Sequence, residues 1–531
     1  MAPSRTSVES VTPAVSPRWR VDGVPPTVPP GLALRLFATC WMLFALHFAT
    51  NTVREIYPAL SLGDHMSFNV SEYAGFHPDI FELPGRGVFI NNNPGASILA
   101  AAPYTLARPV IDRVVDHIQR GRATAPQAVP EYRTIYPMAR EFVAKARERG
   151  LDVKFGLAAA VMQVGLMAPF SAASVVAMLW LLQSVTGSSR VALWLAFLYA
   201  FATPVLYRTG QLNQNILVAH CALFAFVLLW RPWDEPGPLR RPSYVLAGAL
   251  AGWCVVLDYS GVVALVALAI YALVRRRALP REARSWWDAW QFAMGAGAAL
   301  AVLLGYQWAA FGSPFLPAQT YMPPATFTHH GYRGMDWPRL DLLWETAFGM
   351  RYGLFTSAPI LLLGLYAPGW RRGRGGLLGS RELGFVVLFC VLFFLFAAAN
   401  QYGRMQFNSG VRHIVPVTPF LFLLAAGPLA RMPLPAAGLI GILATYWSWC
   451  LAMYRDVEQG TGVLESVIHI TLEGFRLPWL TTLQQLGYVA NVSVAPVFAL
   501  TAAVLWVLWR WRPDTSTART SRGVPAARGG R

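Results

Sequence analysis

Long apolar runs, separated by short segments rich in Arg, Pro and Gly, are what most restrict the fold of this chain. They occupy 31–50, 155–182, 191–206, 216–230, 243–257, 260–274, 289–310, 351–367, 383–399, 411–430, 435–453 and 488–509. About 20 apolar residues match the hydrocarbon core of a bilayer. A helix on the surface of a soluble domain would instead be apolar along one stripe. Charged residues are 13 % and hydrophobic residues 55 % of the 531 positions, against about 25 % charged in soluble domains. The expected fold is an all-α polytopic membrane protein with about twelve transmembrane helices, within a range of 11-13. A further run, 96–110, is short and contains Pro103 and Pro109.

The formal net charge is +17, and because Lys occurs only at Lys145 and Lys154 nearly all of it is Arg. On a soluble protein this charge would raise nucleic acid as a partner. Here the arginines lie between apolar runs, where cytoplasmic loops carry them, and no nucleic acid is expected. Arg190, Arg231, Arg240, Arg241, Arg275, Arg276, Arg277, Arg281, Arg284, Arg371, Arg372, Arg374, Arg381 and Arg431 fall in one set of loops. The alternating set, 207–215, 258–259, 311–350, 400–410 and 454–487, is poorer in Arg for its length. The first set is read as cytoplasmic, together with a disordered tail 1–30 and a basic tail 510–531. Both termini inside require an even number of crossings. Segment 96–110 is then interfacial or re-entrant, and 51–154 is one long outer loop with interfacial helices. The basic stretch 111–154 runs against this, but long loops escape the charge rule. The Arg-over-Lys bias fits GC-rich coding, so the expected location is a bacterial cytoplasmic membrane. Cys40, Cys221, Cys254, Cys390 and Cys450 all lie in apolar runs without metal-ligand spacing, as small buried thiols.

Within the membrane region 31–509, the large loops 51–154, 311–350 and 454–487 share the outer face, the place expected for chemistry or recognition. Arg54 and Glu55 follow the first span closely, with Asp64, His65, His77 and Asp79 after them. A carboxylate at a membrane boundary is partly desolvated, which suits a general base. Glu55, Asp79 and Asp64 are the candidates, Glu55 and Asp79 first. The bland alternative is a solvated Arg54–Glu55 pair closing a helix. Arg351, Arg404, Arg412 and His413 sit at outer span ends, where a lipid phosphate lies, and an Arg fork gives that phosphate bidentate contacts. Snorkelling onto head groups is the bland alternative. Asp258, at a tight turn, reads as turn-forming. Tyr207, Arg208, Gln211 and Asn213 to Asn215 form a polar loop without a clear assignment, and the His329–His330 pair lacks helical ligand spacing.

Ser61-Leu62-Gly63-Asp64, the segment from Phe89 to Gly95, the segment from Phe311 to Phe315, the segment from Arg351 to Phe355 and the segment from Asn408 to His413, taken in order, resemble the lipid-carrier-dependent glycosyltransferases of the C-type fold, the protein mannosyltransferase and aminoarabinose transferase group. Ser61-Leu62-Gly63-Asp64 and Phe89-Ile90-Asn91-Asn92-Asn93-Pro94-Gly95 resemble steps of that family's first outer loop. Phe311-Gly-Ser-Pro-Phe315, Arg351-Tyr-Gly-Leu-Phe355 and Asn408-Ser-Gly-Val-Arg412-His413 resemble later ones. Asn93 stands where the family has Lys, and Gly95 where a second Pro is usual. The resemblance implies transfer of a sugar from a polyprenyl-phosphate donor to a glycan, lipid or protein acceptor. It places Arg54, Asn92, Asn93, Tyr352 and Tyr402 around the substrate. Some relatives use a divalent metal and others none, and no metal ligands are assigned.

Two alternatives stay open. A transporter or flippase of lipid-linked glycans would show internal repeats and ionisable residues at mid-span; no repeat is evident, and the charges sit at span ends. A non-catalytic relative that binds lipid or glycan is compatible with the lack of the acidic pair that the family carries just after its first span, where this chain has Asn51 or Glu55.

Overall fold

In a computed structural model, the described residues are 28–124, 131–134, 136–230, 241–277, 285–322, 331–370, 376–404, 406, 409–454, 462–490 and 493–510. Most of the tail 1–30, nearly all of the tail 510–531, and His329 and His330 lie outside them.

The chain is nearly all helical. Among the described residues one sheet occurs, an antiparallel hairpin of Ile80–Leu83 and Gly87–Ile90 in which Phe81 faces Phe89. Four helices are long and apolar enough to cross a membrane: Asp152–Thr186, Trp286–Phe311, Ser380–Ala399 and Leu434–Met453. Shorter apolar helices include Pro30–Leu46, Gln214–Trp230, Thr418–Arg431 and Ala495–Arg510. Trp290, Trp308, Ile442, Leu443, Leu500 and Val507 remain exposed on these helices. A water-soluble surface avoids apolar area of this extent.

The twelve expected crossings are thus matched in part. The run 351–367 is broken into a single turn, Leu354–Ser357, and a 3-10 stretch, Pro359–Leu365. Pro359 has no N–H to donate and forces Ala358 out of the helical region, to φ −144° and ψ 74°. Segment 96–110 is the first half of one helix, Gly95–Thr124, which carries both prolines inside it. Its leading turns bury Ala96, Ser97, Ala100 and Tyr104.

Small residues bring helices Arg241–Leu257 and Trp286–Phe311 into backbone contact. A Cβ on Gly252 would come within 2.6 Å of Ala296 O, and one on Gly248 would overlap Phe292 O. Gly95 docks the first loop in the same way, since a Cβ there would lie 2.7 Å from Val256 O. Such seams form where close packing replaces bulk as the source of helix association.

The loops expected on one face do gather at one end of the bundle. Ala49 N–H donates to Gly210 O at 2.6 Å, Gly410 N–H to Arg351 O at 2.7 Å and Val463 N–H to Met350 O at 2.8 Å. Asp336 N–H donates to Ala399 O at 2.9 Å, and Thr50 Oγ1 lies 2.8 Å from Thr482 Oγ1. The opposite end carries its own cluster, in which Glu382 meets Arg275 at 3.5 Å and the Tyr271 hydroxyl at 3.0 Å.

Candidate functional site

The site begins where the first helix stops. Glu55 is the residue before helix Ile56–His65, and its side chain is buried. Ser97 Oγ donates to Glu55 O at 2.7 Å and ties this start to the helix behind it. Arg54 bridges two carboxylates: its Nε is 3.2 Å from Glu55 Oε1 and its Nη1 is 3.1 Å from Asp79 Oδ2. Burial opposes the charge on Arg54, but Glu55 and Asp79 outweigh it and hold the guanidinium above its ordinary range. Asp79 enters the hairpin, its carbonyl accepting from Asn91 N–H at 2.9 Å and its own N–H donating to His77 Nδ1 at 3.0 Å. Burial lowers the His77 pKa, with Asp79 pulling the other way.

A second segment, 409–413, faces this triad and is held from several sides. Gly410 has φ +87°, a conformation that side chains other than glycine rarely adopt, and it packs on the Tyr207 ring. Val411 N–H donates to Ser357 Oγ at 2.9 Å. Arg208 is 1 % exposed and donates to the carbonyls of Ser409, Gly410 and Val411. Burial brings the Arg208 pKa down to about 10. The two residues presented by this clamp are Arg412 and His413.

Arg412 interacts electrostatically with Arg54, Glu55, Asp258 and Asp79, yet none of the described carboxylates forms an ion pair with it. Burial and then the Arg54 charge lower its pKa. Burial and then Arg412 hold His413 well below the usual histidine range, so the ring is neutral at pH 7. Its Nε2 is buried with no hydrogen-bond partner.

Beside Arg412 lies a cavity lined by Asp258, Ser260, Tyr352, Asn400, Gln406 and His413, among others. Its volume is about 20 Å³, room for roughly one water-sized group. Gln214 Nε2 donates to Asp258 Oδ2, and Ser260 N–H donates to Oδ1 at 2.8 Å. Ser260 Oγ and Gln406 Oε1 are buried without partners. Buried polar atoms are normally satisfied, so this wall is prepared for a hydrogen-bonding guest.

The remaining sequence candidates separate. Asp64 sits at the far end of helix Ile56–His65 from Glu55, about 13 Å along the axis. It is enclosed by Lys154 Nζ at 2.8 Å, Arg108 Nε at 3.2 Å and the Tyr104 hydroxyl at 2.9 Å. Asp64, His65 and Glu72 bring their ligand atoms within 4.8 Å of one another. Lys154 also lies 4.0 Å from Glu72, so an ammonium already supplies the positive charge, and the group does not fit a divalent cation. Arg404 pairs with Asp341 at 2.6 Å and Glu345 at 3.2 Å on an exposed surface. Arg339, followed by Arg404, holds Asp341 well below the usual carboxylate range. The Arg351 backbone carbonyl anchors Gly410, and Arg351 is exposed. Tyr352 lines the cavity and donates to Glu345 Oε2 at 3.3 Å. Tyr402 N–H donates to Asn400 Oδ1 at 3.0 Å, and burial followed by the Asp79 charge raises its phenol pKa. Asn93 is structural, donating to Val255 O at 2.8 Å. Asn92 is buried with both amide atoms unpartnered.

Arg208, Asp258, Ser357 and Gln214 are the members that sequence reasoning left unassigned or read as local. The available signal was Arg208 itself, an arginine between two apolar runs at a position where a buried charge needs partners. No protein-family model and no curated protein matches the chain.

Proposed function

We propose that the chain is a membrane glycosyltransferase that moves a sugar from a polyprenyl-phosphate donor to an acceptor. The observation that carries this reading is Arg412, a guanidinium beside Glu55, Asp79 and Asp258 that no described carboxylate pairs. A half-buried cation left unpaired is costly, and a lipid phosphate would relieve that cost with bidentate, charge-assisted contacts. The carboxylates then serve the other half of the reaction. A base takes the acceptor's proton while the acceptor attacks the anomeric carbon. The phosphate leaves with its charge met by Arg412.

The finer topology belongs to the same proposal. About twelve crossings, both termini in the cytoplasm of a bacterium and the chamber on the outer side would put Arg412 at head-group level. The gathering of the Arg-poor loops at one end of the bundle supports it. A lipid tail would lie along the exposed apolar helix faces.

Binding of polyprenyl phosphate to detergent-purified protein tests the reading. The expected result is saturable binding that falls about 100-fold in Arg412→Gln, close to 3 kcal/mol. Equal binding by wild type and variant, or none by wild type, would sink it.

A further inference from the structure

We infer that Asp258 is the base that takes the acceptor's proton, an assignment that rests on the transferase reading above and deepens it. Three carboxylates act electrostatically on Arg412: Glu55, Asp258 and Asp79. Arg54 occupies Glu55 Oε1 and Asp79 Oδ2, so those two act as a brace that holds one guanidinium in place. Asp258 has no ion-pair partner among the described residues. Its hydrogen-bond partners are neutral donors, the Gln214 amide and the Ser260 N–H. Each holds one oxygen without cancelling the charge, which fixes the carboxylate's direction.

Asp258 is also the one of the three that lines the cavity. The cavity volume of about 20 Å³ accepts a group the size of a hydroxyl. Ser260 Oγ and Gln406 Oε1, each at least nine-tenths buried and lacking a partner, point to a small polar guest there. His413 Nε2 adds a third unpartnered atom to the same wall. The acceptor's hydroxyl fits this space, whose wall includes Val411 and His413 on either side of Arg412 in the chain.

The step balances within the two substrates and this residue. The acceptor O–H bond breaks and its proton passes to Asp258. The oxygen lone pair forms the new bond to the anomeric carbon. The bond from that carbon to the phosphate oxygen breaks, and its electron pair leaves with the lipid phosphate. Asp258 returns the proton to solvent.

The test uses detergent-purified full-length protein, a polyprenyl-phosphate hexose that wild type turns over, and azide as a second acceptor. Azide attacks without losing a proton and so needs no base. Asp258→Asn is expected to slow transfer to the hydroxyl acceptor by about 100-fold to 10,000-fold. Polyprenyl phosphate binding should stay within about twofold of wild type, and azide should restore turnover as the glycosyl azide. A variant damaged only in structure would not be rescued. Asp258→Ser repeats the comparison if the Asn variant does not fold. Hydroxyl transfer within threefold of wild type, or a folded variant that binds the lipid phosphate yet gains nothing from azide, overturns the assignment. Failure of wild type with every polyprenyl-phosphate sugar would instead overturn the transferase reading.

Discussion

The first loop contributes to two charged clusters, and their difference is instructive. Around Asp64, one carboxylate meets two cations and a phenol within 3.2 Å. Around Arg412, a second arginine and three carboxylates act on one another electrostatically, but the pairing stops at Arg54. The Asp64 cluster is saturated and joins three helices. The Arg412 cluster is left one partner short, with unpartnered polar atoms on the adjoining wall. Equal residue types thus sit in opposite states: in one cluster the charge is closed within the chain, and in the other it is left open.

The contrast breaks most sharply at Asp64. Asp64→Asn leaves Lys154 and Arg108 facing a neutral amide in a buried place. It should lower unfolding stability by about 3–5 kcal/mol, read by denaturation in detergent micelles. A loss under about 1 kcal/mol would mean the cluster is not closed.

A double-mutant cycle sharpens the other side. Arg208→Lys cannot reach all three carbonyls that fix the 409–411 backbone, so it should weaken polyprenyl phosphate binding about tenfold, near 1.4 kcal/mol. In an Arg412→Gln background the same change should cost nothing further, because contacting or coupled residues are not additive. Independent, additive losses would show that Arg208 does not act through Arg412. The smallest effect belongs to Arg404, whose exposed pairs with Asp341 and Glu345 resemble ordinary surface bridges. Arg404→Gln should change stability by less than about 1 kcal/mol and leave lipid phosphate binding intact. A tenfold loss of binding would return Arg404 to the site.

Much of this arrangement could be read from local sequence, and what was missed was set by distant partners. Hydropathy marks the four helices that are long and apolar enough to cross a membrane, because continuous apolar runs dictate them. It misreads 351–367, where Pro359 overrides an equally apolar composition. Arg54, Glu55 and Asp79 lie within one loop, and the hairpin brings them together as the local polarity implied. Arg404 looked like Arg412 until Asp341 and Glu345, about sixty positions away, claimed it. Asp258 was read as a turn former, and its Oδ1 does accept from Ser260 N–H. What local sequence could not show is Gln214 on the other oxygen and the cavity beside it.

The glycine seam between Arg241–Leu257 and Trp286–Phe311 has a consequence for how far the chamber's influence extends. The helix pressed into that seam ends one residue before Asp258, and its last turn also receives Asn93. Even a single methyl group at Gly248 or Gly252 would pry the two rods apart and swing that end like a lever arm. Alignment of the carboxylate is therefore set partly by atoms packed roughly two to three turns back along the same helix.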